Sequence, residues 1–183
     1  MATYIALIRG INVGGQKKIE MPELIVAFEF LGFEEVKTYI QSGNVIFTTM
    51  KRDRSKLISL IQERIKWAFN YPVSVVLRTA NELQGIIATN PFLKDSKIDT
   101  NKLHVTFLSD KPIISTLNQI KEMQDEQDEF VISGQEVYLH CPKGYGRNKF
   151  SNTYFEKKLG VATTTRNWKT VTQLFDIVKD RTH

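Results

Sequence analysis

The chain has 183 residues, 42% hydrophobic and 25% charged, enough to bury either one large core or two small ones. No run approaches the ~20 apolar residues of a membrane-spanning helix, and the apolar start Met1-Ala2-Thr3-Tyr4-Ile5-Ala6-Leu7-Ile8 is too short and lacks the basic flank of a leader. A single cysteine, Cys141, excludes an internal disulfide and a multi-thiolate metal site, so a cytoplasmic location and no metal are expected; the net charge of +5 is a mild bias toward anionic partners.

In chain order, residues 3–8 read as a buried strand. A loop of about ten residues follows, Arg9-Gly10-Ile11-Asn12-Val13-Gly14-Gly15-Gln16-Lys17-Lys18. Pro22 suits the first turn of a helix carrying Leu24, Phe28 and Leu31, and Gly32 stops it, with Phe33 placed to fold back. Residues 36–40 and 44–48 are β-rich around Ser42-Gly43 and predict a hairpin. An amphipathic helix bears Ile58, Ile61, Ile65 and Phe69 and ends by Pro72, before a strand over 73–77. Thr79-Ala80-Asn81-Glu82 is a capping box, opening a short helix that runs out at Asn90-Pro91.

Residues 91–101 have little periodicity and read as a linker between an N-terminal half, 1–90, and a C-terminal half, 102–183. The order of elements then begins again. Leu103, Val105 and Phe107 alternate as a strand, Pro112 opens a helix, and residues 130–133 and 136–141 form a hairpin about Gly134-Gln135. Ser151 caps a helix stopped by Gly160, residues 161–165 form a strand, and Asn167 caps a last helix with Trp168 and Val171 inward. Each half reads β-α-β-β-α-β-α. The fold class expected is α+β: tandem ferredoxin-like α/β plaits, each a β-α-β-β-α-β unit followed by a helix.

Three motifs, Arg9-Gly10-Ile11-Asn12-Val13-Gly14-Gly15, Tyr39-Ile40-Gln41-Ser42-Gly43-Asn44-Val45 and Thr164-Thr165-Arg166-Asn167-Trp168, resemble a bacterial family, domain of unknown function 1697 (DUF 1697). The resemblance spans essentially the whole chain. It implies tandem plaits and carries no activity or cofactor with it.

The 9–18 loop is the sharpest candidate site. Arg9, Lys17 and Lys18 supply charge, Asn12 hydrogen bonding, and Gly14 and Gly15 close backbone approach, all beside a helix N-terminus. It matches neither a Walker loop nor a dinucleotide fingerprint, and the alternative is a purely structural loop. In Lys143-Gly144-Tyr145-Gly146-Arg147-Asn148-Lys149, stacking on Tyr145 with phosphate contacts from Arg147 and Lys149 would suit a nucleotide or single-stranded nucleic acid, against the alternative of a solvated connection.

A second, inter-domain group comprises Gln41, Ser42, Asn44, Arg166, Asn167 and Trp168. The first and third strands of a half are expected to run parallel, which would set the 9–18 loop and the Gln41–Asn44 turn at opposite ends of one sheet. They could then share a site only if the second half bridged them, with Arg166-Asn167-Trp168 the natural candidate for such a bridge or for a domain–domain contact; otherwise Trp168 is core and Asn167 a cap. Alternation is expected to place His104 and Thr106 on one open sheet face with Tyr138 and His140, either solvent-exposed or ligand-binding. In the first half both faces are apolar, so the open one should be covered by the second half or a partner subunit. Three functions follow: a module binding a phosphate-bearing ligand, an interaction or assembly module, or a small-molecule enzyme with a cleft between the halves.

Overall fold

The computed structural model describes residues 1–121, 128–147 and 149–181, apart from the side chains of Ile114, Asn118, Gln119, Lys121 and Arg147. Most of the acidic run at 125–129, and His183, lie outside the described residues. The chain divides into two compact units: Met1–Leu83 with the residues from Leu174 onward, and Gln84–Gln173.

The first unit holds β1 (Ala2–Ile8), α1 (Met21–Glu29), β2 (Glu34–Tyr39), β3 (Asn44–Thr49), α2 (Arg54–Phe69) and β4 (Val75–Thr79). The trailing helix α3 (Ala80–Ala88) begins in the first unit and ends in the second. The second unit holds β5 (Leu103–Leu108), α4 (Ile114–Lys121), β6 (Glu129–Ser133), β7 (Glu136–His140), α5 (Asn152–Leu159) and β8 (Thr163–Asn167). The last helix, α6 (Trp168–Val178), begins in the second unit and ends in the first. The stretch expected as a linker contains two short 3-10 turns, Pro91–Lys94 and Thr100–Lys102, and lies in the second unit.

Each unit is a mixed α+β structure on a four-stranded sheet, ordered β2-β3-β1-β4 in one and β6-β7-β5-β8 in the other. Every neighbouring pair is antiparallel. This corrects the expected parallel first and third strands. A crossover helix makes β1 and β2 parallel, and β3, inserted between them from a hairpin, must oppose both.

Local chemistry explains the helices. In α2, Asp53 accepts from the Lys56 N–H at 3.1 Å, Leu57, Ile61 and Ile65 face the core, and Asn70 ends the helix at φ 59. The buried stripe thus starts at Leu57 where Ile58 was expected. The capping box of α3 forms as read: the Thr79 N–H donates to Glu82 Oε2 at 2.7 Å, and the Glu82 N–H donates to Thr79 Oγ1 at 3.3 Å. Phe33 folds back and stacks on Phe47 with centroids 4.4 Å apart.

In the first unit Tyr4, Ala6 and Ile8 join Val45, Phe47, Leu24, Phe28, Leu57 and Ile61 in one core. Ile5, Leu7 and Ile46 on the opposite sheet face are also fully buried in this single chain, so that face is covered, as two apolar sides require. In the second unit the register is His104↔Leu139, Val105↔Tyr138 and Leu103↔His140. His104 and Thr106 therefore do not share a face with Tyr138 and His140. Nor is the Tyr138 face open: Leu103, Val105, Phe107 and Tyr138 are all buried, and the Tyr138 hydroxyl donates to Ile86 O in α3 at 3.1 Å.

Candidate functional site

At the end where β1 stops, three connections converge. Leu7 pairs with Asn44, the Ile8 N–H donates to Gly43 O at 2.8 Å, and the Arg9 N–H donates to Ser74 O at 2.9 Å. The 9–18 loop, the Gln41–Asn44 turn and the α2–β4 connection thus share one end of the first sheet. The expected separation of the first two is overturned by the antiparallel β1–β3 pairing, and no bridge is needed to unite them.

The loop folds on itself as a small hairpin. Val13 and Gln16 form a β-bridge, and Gly14 and Gly15 between them sit at φ 59 and 75, the pair of left-handed residues that a tight primed turn requires. The Asn12 N–H donates to Lys17 O at 3.1 Å. The Asn12 side chain is fully committed: Nδ2 donates to Ile19 O and to Gln41 O, both at 2.9 Å, while Oδ1 accepts from the Ile19 N–H at 2.8 Å. Asn12 therefore closes the loop onto the neighbouring turn. Asn44 is buried and serves the same purpose, its Nδ2 donating to Tyr39 O and to Ser42 Oγ. Gly43 is needed for space, since a Cβ there would lie 3.0 Å from two carbons of Ile11.

With its base locked, the loop leaves Val13, Gly14, Gly15, Gln16 and Lys18 exposed, and Gln41 lies exposed beside them. Lys17 is half-buried and its Nζ donates to Pro72 O at 3.2 Å, which holds this cation at the same end. Arg9 is half-buried there as well. The helix that follows contributes less to an anion than expected. Glu20 at the N-cap makes no side-chain cap, and Glu23 occupies the first turn of α1, so two carboxylates already meet its positive end.

The second candidate loop, 143–149, leaves β7 beside the start of β5, where the Cys141 N–H donates to Lys102 O at 2.9 Å. Tyr145 is not a free stacking platform. Its ring stacks on His104 with centroids 5.0 Å apart, and its hydroxyl donates to Thr165 Oγ1 at 3.1 Å. Thr165 in turn meets Thr106 Oγ1 at 2.7 Å and Asn152 Oδ1 at 2.8 Å. This polar cluster beneath α5 tethers the loop. Burial pushes the His104 imidazole below its usual value against the opposing Lys102 backbone, and His104 Nδ1 is buried without a hydrogen-bond partner. The alternation of β5 signalled polar residues there, but the strand phase needed to place them under a helix was not readable. Lys149 Nζ lies 5.3 Å from the Phe150 ring centroid; the Arg147 side chain and Asn148 fall outside the described residues.

The third motif ends β8 and opens α6. Asn167 Oδ1 accepts from the Thr170 N–H at 2.8 Å, capping α6, and Trp168 is core at 7% exposure. Arg166 is buried; its guanidinium donates to Thr164 Oγ1 at 2.7 Å and Thr165 O at 2.9 Å, and burial lowers its pKa to about 10, leaving it charged at neutral pH. Arg78 occupies the matching fourth position of β4, also buried, and donates to Leu77 O. Among the described residues no group of three His, Cys, Asp or Glu is placed to hold a metal, and no helix is long and apolar enough to cross a membrane.

These features define a protein of two α+β units, each on an antiparallel four-stranded sheet, with a glycine- and asparagine-locked loop cluster at one end of the first sheet. A family model described as "Protein of unknown function (DUF1697)" matches residues 1–138, and the chain belongs to that family. Among solved structures it is similar to the conserved bacterial protein SP0830 from Streptococcus pneumoniae, with a TM-score of 0.73 and 20% identity over 97% of this chain and 98% of that one. No curated protein matches it.

Proposed function

We propose that this chain is a binding module for a phosphate-bearing ligand, a nucleotide or nucleic acid, built on two ferredoxin-like α/β plaits drawn from residues 1–90 and 102–183 with 91–101 between them. The strand order, four-one-three-two in each half with two crossover helices, supports the plait reading. The single cysteine, Cys141, is buried, and a chain without a possible internal disulfide suits the reducing cytoplasm.

The observation that carries the ligand reading is the loop cluster at the end of β1. Asn12 and Asn44 spend their hydrogen bonds on holding backbone, and the result is a rigid, exposed Gly14-Gly15 tip flanked by Arg9, Lys17 and Lys18. A preorganised tip loses little entropy on binding, and its glycine N–H groups can approach phosphate oxygens closely while the lysines supply charge. The 143–149 loop has a lesser part, because Tyr145 is already engaged. The test is fluorescence anisotropy of a labelled single-stranded oligonucleotide. The expected result is affinity that falls steeply with added salt, and a K17A/K18A variant that binds about tenfold or more weakly with a shallower salt slope, its melting temperature lowered by no more than about 4 °C for the lost Lys17–Pro72 bond. Equal binding by that variant would refute the assignment.

A second reading, an interaction module, is favoured by a different surface, the apolar face of α1 and α2.

A further inference from the structure

Starting beside the loop cluster, α1 and α2 enclose a groove of about 420 Å³ lined by Pro22, Glu23, Val26, Arg64, Trp67 and Phe69. Its rim is apolar and open to solvent. Val26 is 59% exposed, Phe30 72% and Trp67 79%, while the core-facing sides of the same helices bury Leu24, Phe28, Leu57, Ile61 and Ile65. Large aromatics grouped at such exposure mark interaction surfaces more often than isolated surface apolar residues do.

Arg64 makes the patch specific. Its guanidinium carbon lies 3.9 Å from the Phe30 ring centroid and 4.9 Å from that of Trp67, so two aromatic faces hold it in place. Its Nε is buried with no hydrogen-bond partner, and among the described residues Arg64 forms no ion pair. The buried Nε is out of reach from outside, but a guanidinium fixed this way and without an ion pair presents its terminal nitrogens to a carboxylate from outside the chain.

The opposite charge stands at the other end of the same groove. Because α1 and α2 run antiparallel, Glu23, in the first turn of α1, borders the C-terminal end of α2, and Phe30 borders Arg64. Seven residues of helix separate positions 23 and 30, about 10 Å along the axis at the usual rise. The patch therefore reads acid, apolar centre, base. A two-fold axis through the Val26–Trp67 centre would lay the apolar residues on themselves and set each Glu23 against the other copy's Arg64.

We infer that this face is a two-fold docking surface for a second copy of the chain, closed by reciprocal Glu23–Arg64 pairs around Val26, Phe30 and Trp67. The Glu23 end of this face borders the loop cluster, but the inference does not rest on the phosphate reading: its readout is self-association without any phosphate ligand.

The test is sedimentation equilibrium of the full chain from about 1 μM to about 500 μM, with a dimer expected within that range. R64E and E23R should each weaken association by about tenfold or more, and the combined E23R/R64E exchange should restore it, an outcome that a merely structural role would not produce. W67S, at an exposed position, should also weaken it while leaving the circular dichroism spectrum unchanged; it keeps the test open if R64E fails to fold. A chain that stays monomeric throughout the range, whether or not another protein binds the face, overturns the inference. So does a dimer indifferent to all of these substitutions.

Discussion

At the scale of the residue, Asn12 shows how the base of a loop rich in glycine is tied down. It adopts φ 54, a left-handed conformation that asparagine tolerates better than most residues, and its side chain makes three hydrogen bonds to backbone of its own loop and of the β2–β3 turn. Asn12→Ala removes all three and leaves the backbone strained. The expected loss is roughly 2–4 kcal/mol in chemical denaturation, large for a half-buried loop position. The residues that looked alike in the sequence divide here by what their atoms do. Asn12, Asn44 and Asn167 are consumed in holding backbone, the side chains of Lys18 and Gln41 are exposed at the surface, and Tyr145 belongs to a half-buried hydroxyl cluster. Residue type and spacing marked all of them; only the partners separate positioning residues from candidate contacts.

At the scale of the element, caps, breaks and hairpins were legible because they depend on neighbours in sequence. The Thr79–Glu82 box, the Ser151 cap with its Gly160 stop, the Gly134-Gln135 turn and the return of Phe33 all form as their residues dictate. Register between strands distant in the chain was not legible. No turn ties β5 to β7, and a shift of one residue moved Tyr138 and His140 to the face opposite His104. The direction of β3 beside β1, by contrast, follows from the crossover helix and the hairpin, and the antiparallel pairing brings the two glycine motifs to one end of the sheet.

One element contact carries a pH dependence. Burial pushes the Glu82 carboxyl up, but paired bonds from Arg54 at 2.9 and 3.0 Å and the Thr79 N–H pull it below its usual value. A carboxylate depressed by folding adds stability above its unfolded value, near 4.5, and loses it as pH falls through the lower folded value. Glu82→Gln should therefore lower the melting temperature at neutral pH and flatten its decline below pH 4.5, in thermal melts followed by circular dichroism.

At the scale of the whole molecule, the two halves repeat one strand order and differ in what they hang from it. After β1 the chain spends twelve residues, 9–20, reaching its helix, where after β5 it spends five, 109–113. The longer connection carries the locked glycine tip and three cations, Arg9, Lys17 and Lys18; the shorter has no glycine and one cation, Lys111. That asymmetry is why the ligand is assigned to the first unit, and it can be read atom by atom. In a titration of the ¹⁵N-labelled chain with inorganic phosphate and then a nucleoside triphosphate, the backbone amide shifts of Gly14, Gly15, Lys17 and Lys18 should move together and saturate. Silence at those four amides, with saturable shifts at Tyr145 and Lys149 or nowhere, would contradict the account.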